Sequence, residues 1–200
     1  MKLILASASP RRADLLRQAG IDFQVVVPDI SEDLDGSLPP SEIVVRLALR
    51  KALAVSKRFD QGFVLAADTL VIHRKIILGK PADQDDARRM LSLLNGDEHE
   101  VMTGMALVDA ASGRSENALS VTRVWLKAMT ESEIDVYIAT GEPLDKAGAY
   151  GIQGRAALFV EKIEGCYFNV VGLPLSLLYD LMKSMQAPIW LSRKDRDNAK

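Results

Sequence analysis

Hydrophobic and polar positions along the chain repeat with two periods, one typical of strands and one typical of helices. Apolar runs at residues 2–6 and 22–27 predict two strands around a first helix, and the pattern over 41–57 predicts a long second helix. Residues 62–73 are almost continuously apolar, which is typical of a strand buried on both faces. The pattern therefore predicts a mixed α/β body.

A third helix and a hairpin are predicted in the middle of the chain. Asp83 is a favoured N-cap residue, and the helix that it begins is predicted to end near residues 95–96. Residues 99–110 and 117–127 predict two strands, because a short segment with a glycine joins them.

The last part of the chain is predicted to place two strands between two helices. Thr130 and Glu133 have the spacing of a capping box, and the short helix that they open is predicted to stop at Gly141. Strands are predicted at residues 157–163 and 166–171, ahead of a final helix.

Composition and charge exclude several classes of protein. A chain of 200 residues with 48% hydrophobic content can bury a core as one domain or as two small lobes. A net charge of −2 provides no electrostatic footprint for nucleic acid or an anionic membrane, and no apolar run approaches the ~20 residues that span a bilayer. The single cysteine, Cys166, excludes an intrachain disulfide. We therefore expect a cytoplasmic protein with neither nucleic acid nor membrane as partner.

The segment at residues 7–12 leads from the first strand into the first helix. Ser9 is a favoured N-cap and Pro10 suits the first helical position, so Arg11 and Arg12 fall in the first turn. Arginine is mildly unfavourable at this positive end of the helix dipole unless an anion binds there. The segment therefore predicts a phosphate site.

Two charged residues interrupt apolar patterns. Asp68 lies in the buried run 62–73, where it needs hydrogen bonds, a cation or a metal, and neighbouring backbone amides are one way to supply them. Lys51 lies seven residues after Val44 on the apolar stripe of the second helix, where it could extend its ammonium to solvent or serve a cleft that needs positive charge. Each residue has a structural and a functional explanation.

Other charged residues are less specific. Lys80 lies in a Gly-Lys-Pro turn and Glu32 in a long acidic loop, and both fit a solvated surface as well as a site. His73 and His99 have no metal-ligand spacing and are interpreted as structural or surface residues.

The charged residues as a set suit a nucleoside triphosphate. Two arginines and two lysines match three phosphates, and two or three carboxylates match Mg²⁺, which prefers one or two carboxylates with phosphate oxygens and water. No P-loop motif is present. The residues thus predict metal-dependent hydrolysis of a nucleoside triphosphate.

Several long motifs stand in register from residue 3 to about residue 180. They are LASASPRRADLL, RLALRKA, AADTLV, ILGKP, HEVMTG, GEPLDKAGAYGIQG and NVVGLPL. In these motifs the chain resembles the Maf family of nucleoside triphosphate pyrophosphatases. The resemblance implies an α/β fold with an elongated mixed β-sheet flanked by helices and two lobes around a nucleotide cleft. It implies a single domain over residues 1–190, with a charged tail at 191–200, and commonly a homodimer.

The resemblance also implies roles for individual residues. Asp68 matches the family's proton acceptor, which activates water for attack on the α-phosphorus of the substrate. Lys51 and Lys80 match the basic residues of the cleft. Glu32 matches an acidic loop residue and, with Asp68, is expected to bind the divalent cation, Mg²⁺ or Mn²⁺.

Further matches concern the phosphates and the base. Ser7, Arg11 and Arg12 match the loop beside the phosphates. Arg11, Thr69 and Gln153 match the branch that favours dTTP and UTP, whereas a branch favouring 7-methyl-GTP has tryptophan, glutamine and glutamate there. An amide such as that of Gln153 can both donate and accept at a pyrimidine edge. We expect a dTTP/UTP pyrophosphatase; the alternatives are a 7-methyl-GTP pyrophosphatase and a nucleotide-sensing protein of cell division in which hydrolysis is incidental.

Overall fold

A computed structural model describes residues 2–31 and 38–187 of the chain. The strands in these ranges are Leu3–Leu5 (β1), Phe23–Val25 (β2), Phe63–His73 (β3), Ile76–Leu78 (β4), Glu98–Asp109 (β5), Ser115–Leu126 (β6) and Val160–Glu164 (β7). The helices are Pro10–Gln18 (α1), Pro40–Ser56 (α2), Gln84–Leu94 (α3), Glu131–Ala139 (α4), Tyr167–Val171 (α5) and Leu175–Ser184 (α6). None of the helices in the described ranges combines the length and the apolar character that a membrane crossing requires.

The strands form one mixed sheet, which confirms the predicted α/β class. Its order is β2-β1-β3-β5-β6-β7, and β4 pairs with β3 outside this path. β1 runs parallel to both β2 and β3, whereas β4 is antiparallel to β3 and β7 is antiparallel to β6. Because β1 and β2 are adjacent and parallel, α1 is the crossover helix of a βαβ unit.

The chain divides into two compact units, each with its own core. The described residues within Met1–Asp68, Thr103–Ser120 and Gly172–Lys200 form the first, and those within Thr69–Met102 and Val121–Val171 form the second. Small aliphatic side chains of β1, α2, β3 and β5 fill a buried cluster of the first unit. Larger side chains from α3, α4 and neighbouring strands fill a buried cluster of the second unit. The charged tail at 191–200 lies outside the described residues.

Local signals in the sequence located most element boundaries. The Asp83 side chain accepts a hydrogen bond from the backbone of Asp86 at 2.8 Å and begins α3 as predicted. Thr130 and Glu133 form the predicted capping box of α4. The strand predicted at 157–163 is present but begins only at residue 160, because a short 3-10 helix precedes it.

The predicted strand at residues 166–171 is wrong. The chain turns at Gly165, whose φ is 130°, and continues as the helix Tyr167–Val171. The buried Asn169 side chain donates to the Val101 carbonyl at 2.9 Å and so fixes this helix within its unit. A short apolar run has too few residues for its period to distinguish a strand from a buried helical turn.

Close contact between α2 and β5 depends on Gly104. A Cβ atom at this position would overlap the backbone carbonyl of Val44 and lie 2.5 Å from the backbone nitrogen of Val45. Because glycine has no Cβ, the helix backbone can lie directly on the strand. This approach sets the distance from the sheet of the helix that carries Lys51.

We predict that Gly104→Ala lowers the free energy of unfolding by about 2 kcal/mol, because backbone atoms cannot yield to the new methyl group as a flexible side chain can. Urea denaturation measures the change. Gly79→Ala is the matched control, since a Cβ there meets nothing within 4 Å. Equal stability of the two variants would contradict the close approach.

Candidate functional site

Lys51 and Asp68 form a buried ion pair in the first unit. The Nζ atom of Lys51 donates to Oδ1 of Asp68 at 2.6 Å. Lys51 is 5% exposed and Asp68 is 8% exposed. The sequence left open whether Asp68 is satisfied by backbone amides, a cation or a metal, and whether the Lys51 ammonium lies in solvent. In the structure the ammonium of Lys51 is buried and is the cation that pairs with Asp68.

The positions of the two side chains follow from the elements that carry them. Asp68 lies in the middle of β3, a strand between β1 and β5 in which every position except the half-buried Thr69 is buried. Lys51 shares the buried face of α2 with Val44, Leu47 and Ala48. Desolvation of each charge is costly, so each needs the other, and removing one partner of such a pair typically costs about 3–5 kcal/mol.

The loop between β1 and α1 is organised by Ser7. Its Oγ accepts hydrogen bonds from the backbone of Ser9 at 3.1 Å and from Nη1 of Arg12 at 3.3 Å. Arg12 also donates from Nε to the carbonyl of Gly172 at 2.9 Å. Because the buried Ser7 oxygen accepts twice, its own O–H hydrogen is the group that it can offer to an anion.

The first turn of α1 differs in one respect from the expectation. Ser9 has the extended backbone of an N-cap residue and Pro10 follows at the first helical position, but the Ser9 side chain makes no cap hydrogen bond. Arg11 and Arg12 lie in this turn as expected, and both are half-buried. The hydroxyl that organises the loop is that of Ser7.

The second unit holds the other candidates. Thr69 is half-buried and follows Asp68 on β3, where successive side chains point to opposite faces. Lys80 and Gln153 are exposed in two loops. The backbone of Gly148 donates to the carbonyl of Gly79 at 3.0 Å, so the loop of Lys80 contacts the segment that leads to Gln153.

The described residues contain no preformed metal cage. No group of three or more histidine, cysteine, aspartate or glutamate side chains within them could hold a metal ion. Glu32, the second expected ligand, lies outside the described residues. Asp68 is thus the one expected ligand that the structure describes, and one of its oxygens contacts Lys51.

The sequence analysis missed Tyr137 and Glu142. Tyr137 donates its hydroxyl to Oε1 of Glu142 at 2.9 Å, and burial together with this carboxylate raises the pKa of Tyr137 well above its usual value. Oε2 of Glu142 accepts from the backbone of Arg155 at 3.0 Å. The available signal was a pair of glycines, Gly151 and Gly154, since closely spaced glycines often mark a close approach of other groups.

Both histidines are buried in the second unit. Nε2 of His99 lies 2.7 Å from the hydroxyl of Tyr150, and their rings meet edge to face. Burial lowers the pKa of His99 to about 4. Nε2 of His73 lies 2.9 Å from Oδ2 of Asp97, whose pKa this hydrogen bond lowers to about 2. Tyr150, held by His99, directly precedes the loop of Gln153.

The fold, the sequence motifs and the comparison with known families all indicate the same family. The family model described as Maf-like protein matches residues 2–185, and the chain belongs to the Maf family. A relative from Acetivibrio thermocellus is 50% identical over 190 residues, which cover 92% of this chain and 94% of the relative. Relatives from Gloeobacter violaceus and Geobacillus sp. (strain WCH70) are 52% and 51% identical, covering 91% and 88% of this chain and 95% and 93% of their own. All three relatives are named dTTP/UTP pyrophosphatase.

We predict that Lys51→Met lowers the free energy of unfolding at neutral pH by about 3 kcal/mol, because it leaves the Asp68 carboxylate buried without its cation. The double variant Lys51→Met/Asp68→Leu should recover much of this loss, since neither charge remains. Urea denaturation measures both. Lys57→Met, at the exposed end of the same helix, is the control. A loss no larger than that of the control would contradict the ion pair.

We predict that stability falls as the pH is lowered from 6.5 to about 4 because of His99. Its pKa in the folded chain is about 4, against 6.5 as the ordinary value, so in this window the unfolded chain binds a proton that the folded chain does not. The expected loss is of the order of 3 kcal/mol. Asp97 acts at lower pH, since its stabilisation is lost between 3.8 and about 2.

Denaturation at a series of pH values checks this. His99→Gln should remove the slope above pH 4, whereas Tyr150→Phe should retain it, because burial and not the hydrogen bond is the main cause of the low pKa. An unchanged slope in His99→Gln would show that another group titrates.

Proposed function

We propose that this chain hydrolyses dTTP and UTP to the nucleoside monophosphate and pyrophosphate. The observation that carries the proposal is the buried ion pair of Lys51 and Asp68, an arrangement that suits chemistry on a polyanion. Relatives that are 50–52% identical over 91–92% of the chain are named dTTP/UTP pyrophosphatase. Their names are the basis for the substrate class in this proposal.

In this proposal Asp68 is the proton acceptor. Lys51 contacts Oδ1, so Oδ2 is the oxygen that takes the proton from the attacking water. The water oxygen forms a bond to the α-phosphorus, and the bond from that phosphorus to the bridging oxygen breaks, so pyrophosphate leaves. A positioned carboxylate base typically contributes about 10²–10⁴-fold to such a step.

We propose that a divalent cation, Mg²⁺ or Mn²⁺, accompanies the substrate. Asp68 fits this role because Mg²⁺ needs only one or two protein carboxylates and takes its other ligands from phosphate oxygens and water. Glu32 is the second carboxylate in the proposal. When bound, the cation neutralises phosphate charge and polarises the phosphoryl group.

Basic and hydroxyl groups are assigned to the phosphates. Ser7 donates its hydroxyl hydrogen, and Arg11 and Arg12 supply planar guanidinium groups suited to phosphate oxygens. The contact of Arg12 with the Gly172 carbonyl limits the freedom of its side chain. Lys51 and Lys80 add positive charge, and Lys51 is the counter-charge of the base as well.

Base selection is assigned to Arg11, Thr69 and Gln153. The exposed amide of Gln153 can donate and accept at a pyrimidine edge, whereas a glutamate would favour a base that offers only donors or positive charge. The proposal therefore includes a preference for dTTP and UTP over 7-methyl-GTP.

The wider setting is proposed on the same grounds. We propose residues 1–190 as a single domain that contains both compact units, with the tail at 191–200 outside it, and a homodimer as the assembly. Nucleoside triphosphate is the proposed partner and the cytoplasm the proposed compartment. Because the net charge is −2, neither nucleic acid nor an anionic membrane is proposed as a partner.

We predict that the purified chain with dTTP and Mg²⁺ releases dTMP and pyrophosphate in equal amounts, as measured by chromatography of the products. Asp68→Asn should lower kcat by about 100-fold or more, because an amide cannot take the proton. Asp60→Asn, an exposed position in the same unit, is the control. A chelator should stop turnover, and added Mg²⁺ or Mn²⁺ should restore it.

Four outcomes would contradict the proposal. Release of orthophosphate and dTDP would place the attack at the γ-phosphate. Full turnover by Asp68→Asn would remove that residue from its role. Nucleotide binding without turnover across several metals would favour a sensing protein instead, and faster hydrolysis of 7-methyl-GTP than of dTTP would overturn the base assignment.

A further inference from the structure

We propose that Glu142, together with Tyr137, is a positioning residue that holds the Gln153 turn in the geometry needed to select the base. The inference rests on the proposed role of Gln153. It concerns residues of the second unit, where a carboxylate and a phenol contact a short turn that begins and ends with glycine.

The turn itself is a four-residue segment. The backbone nitrogen of Gly154 donates to the carbonyl of Gly151 at 3.0 Å, and Gln153 occupies the third position. The Gln153 side chain is exposed. Its direction therefore depends on how the backbone on either side of the turn is held.

Glu142 holds the end of the turn. Oε2 of its carboxylate accepts from the backbone nitrogen of Arg155 at 3.0 Å. The same carboxylate rests on Gly154, where a Cβ atom would collide with its oxygens and carbon. The φ of Gly154 is −102°, so its backbone does not need glycine, and a methyl group here would instead displace the Glu142 carboxylate from its present position.

Tyr137 connects Glu142 to the beginning of the turn. Its hydroxyl donates to Oε1 of Glu142 at 2.9 Å and accepts from the backbone nitrogen of Gly151 at 3.3 Å. The Tyr137 ring is buried in the core of the second unit, which gives the hydroxyl a fixed position. Hydrogen bonds thus run from Gly151 through Tyr137 and Glu142 to Arg155 and enclose the turn.

Lys146 fixes the backbone beneath this network. Its Nζ donates to the carbonyl of Glu142 at 2.7 Å and to Oδ1 of Asp145 at 2.6 Å. Its side chain also packs on Gly151, where a Cβ would lie 2.6 Å from the lysine Cε. Both glycines that flank Gln153 are therefore in contact with side chains of the segment 142–146.

If Glu142 had a purely structural role, its loss would lower the stability of the protein and affect all substrates alike. If it positions the turn, its loss should change KM more than kcat. Loss of the Glu142 carboxylate frees the turn, so base-dependent binding should suffer. Asp68 and Lys51 belong to the other compact unit and keep their own contact. We therefore expect a change in KM and in base preference with little change in kcat.

The experiment measures kcat and KM for dTTP, UTP and GTP in a set of variants whose folding is checked by thermal unfolding. Glu142→Ala should raise KM for dTTP about tenfold, as expected for the loss of one or two hydrogen bonds, and lower the preference for dTTP over GTP. Glu142→Gln should recover most of this, because its amide oxygen can still accept from Arg155 and its nitrogen can donate to Tyr137. Glu161→Ala, an exposed glutamate of the same unit, should match the unaltered chain.

A second pair of variants tests the contact directly. Gly154→Ala should raise KM as Glu142→Ala does, because the new methyl group meets the carboxylate. Gly154→Ala combined with Glu142→Ala should add little further loss, since the methyl group then has space. Additive effects of the two substitutions would overturn the inference. If Glu142→Ala fails to fold, Gly154→Ala and Tyr137→Phe carry the same test.

Gln153→Ala separates this inference from the function on which it rests. If Gln153→Ala leaves the preference for dTTP over GTP intact, the assignment of Gln153 fails. If Gln153→Ala removes that preference and Glu142→Ala retains the original KM and preference, the positioning role of Glu142 is wrong. A uniform loss of kcat for all three nucleotides in Glu142→Ala would also overturn it.

Discussion

The buried ion pair between Lys51 and Asp68 is the interaction on which the rest of the structure depends. β3 is buried along nearly its whole length, and a carboxylate at its centre is tolerated only with a cation close by. That cation comes from the buried face of α2, and α2 can lie close to the sheet because β5 has Gly104 beneath it. The packing of α2 on the sheet therefore also determines whether Lys51 can reach Asp68, the residue proposed for the chemistry.

The second unit positions its candidate residues by a different physical means. Gln153 is exposed, and the backbone around it is held by hydrogen bonds that Gly151 and Arg155 donate to Tyr137 and Glu142, and by the small size of two glycines. The carboxylate proposed as a general base must be held in a defined position, whereas the side chain proposed to contact the base needs a rigid backbone and access to its ligand. The contacts found in the two units suit the roles proposed for Asp68 and Gln153.

Predictions from the sequence succeeded where the signal was local. The long apolar run of β3, the Asp83 cap and the capping box at Thr130 each involve residues a few positions apart, and each is found where predicted. The prediction for residues 166–171 failed because five or six apolar residues are compatible with both a strand and a buried helical turn. Ser9 occupied the predicted cap position, but Ser7 makes the hydrogen bonds that organise the loop.

By itself the sequence determined the α/β class, the family and the residue types of the candidate site, because periodicity, caps and motifs are properties of neighbouring residues. Only the tertiary structure decided which polar groups meet. Lys51 and Asp68 are 17 positions apart and Arg12 and Gly172 are 160 apart, and nothing in their local sequence specifies these pairs. A buried polar group needs a partner, but the packing of distant segments determines which residue that partner is. For the same reason the contact between the Glu142 carboxylate and Gly154 can be recognised only in the folded chain.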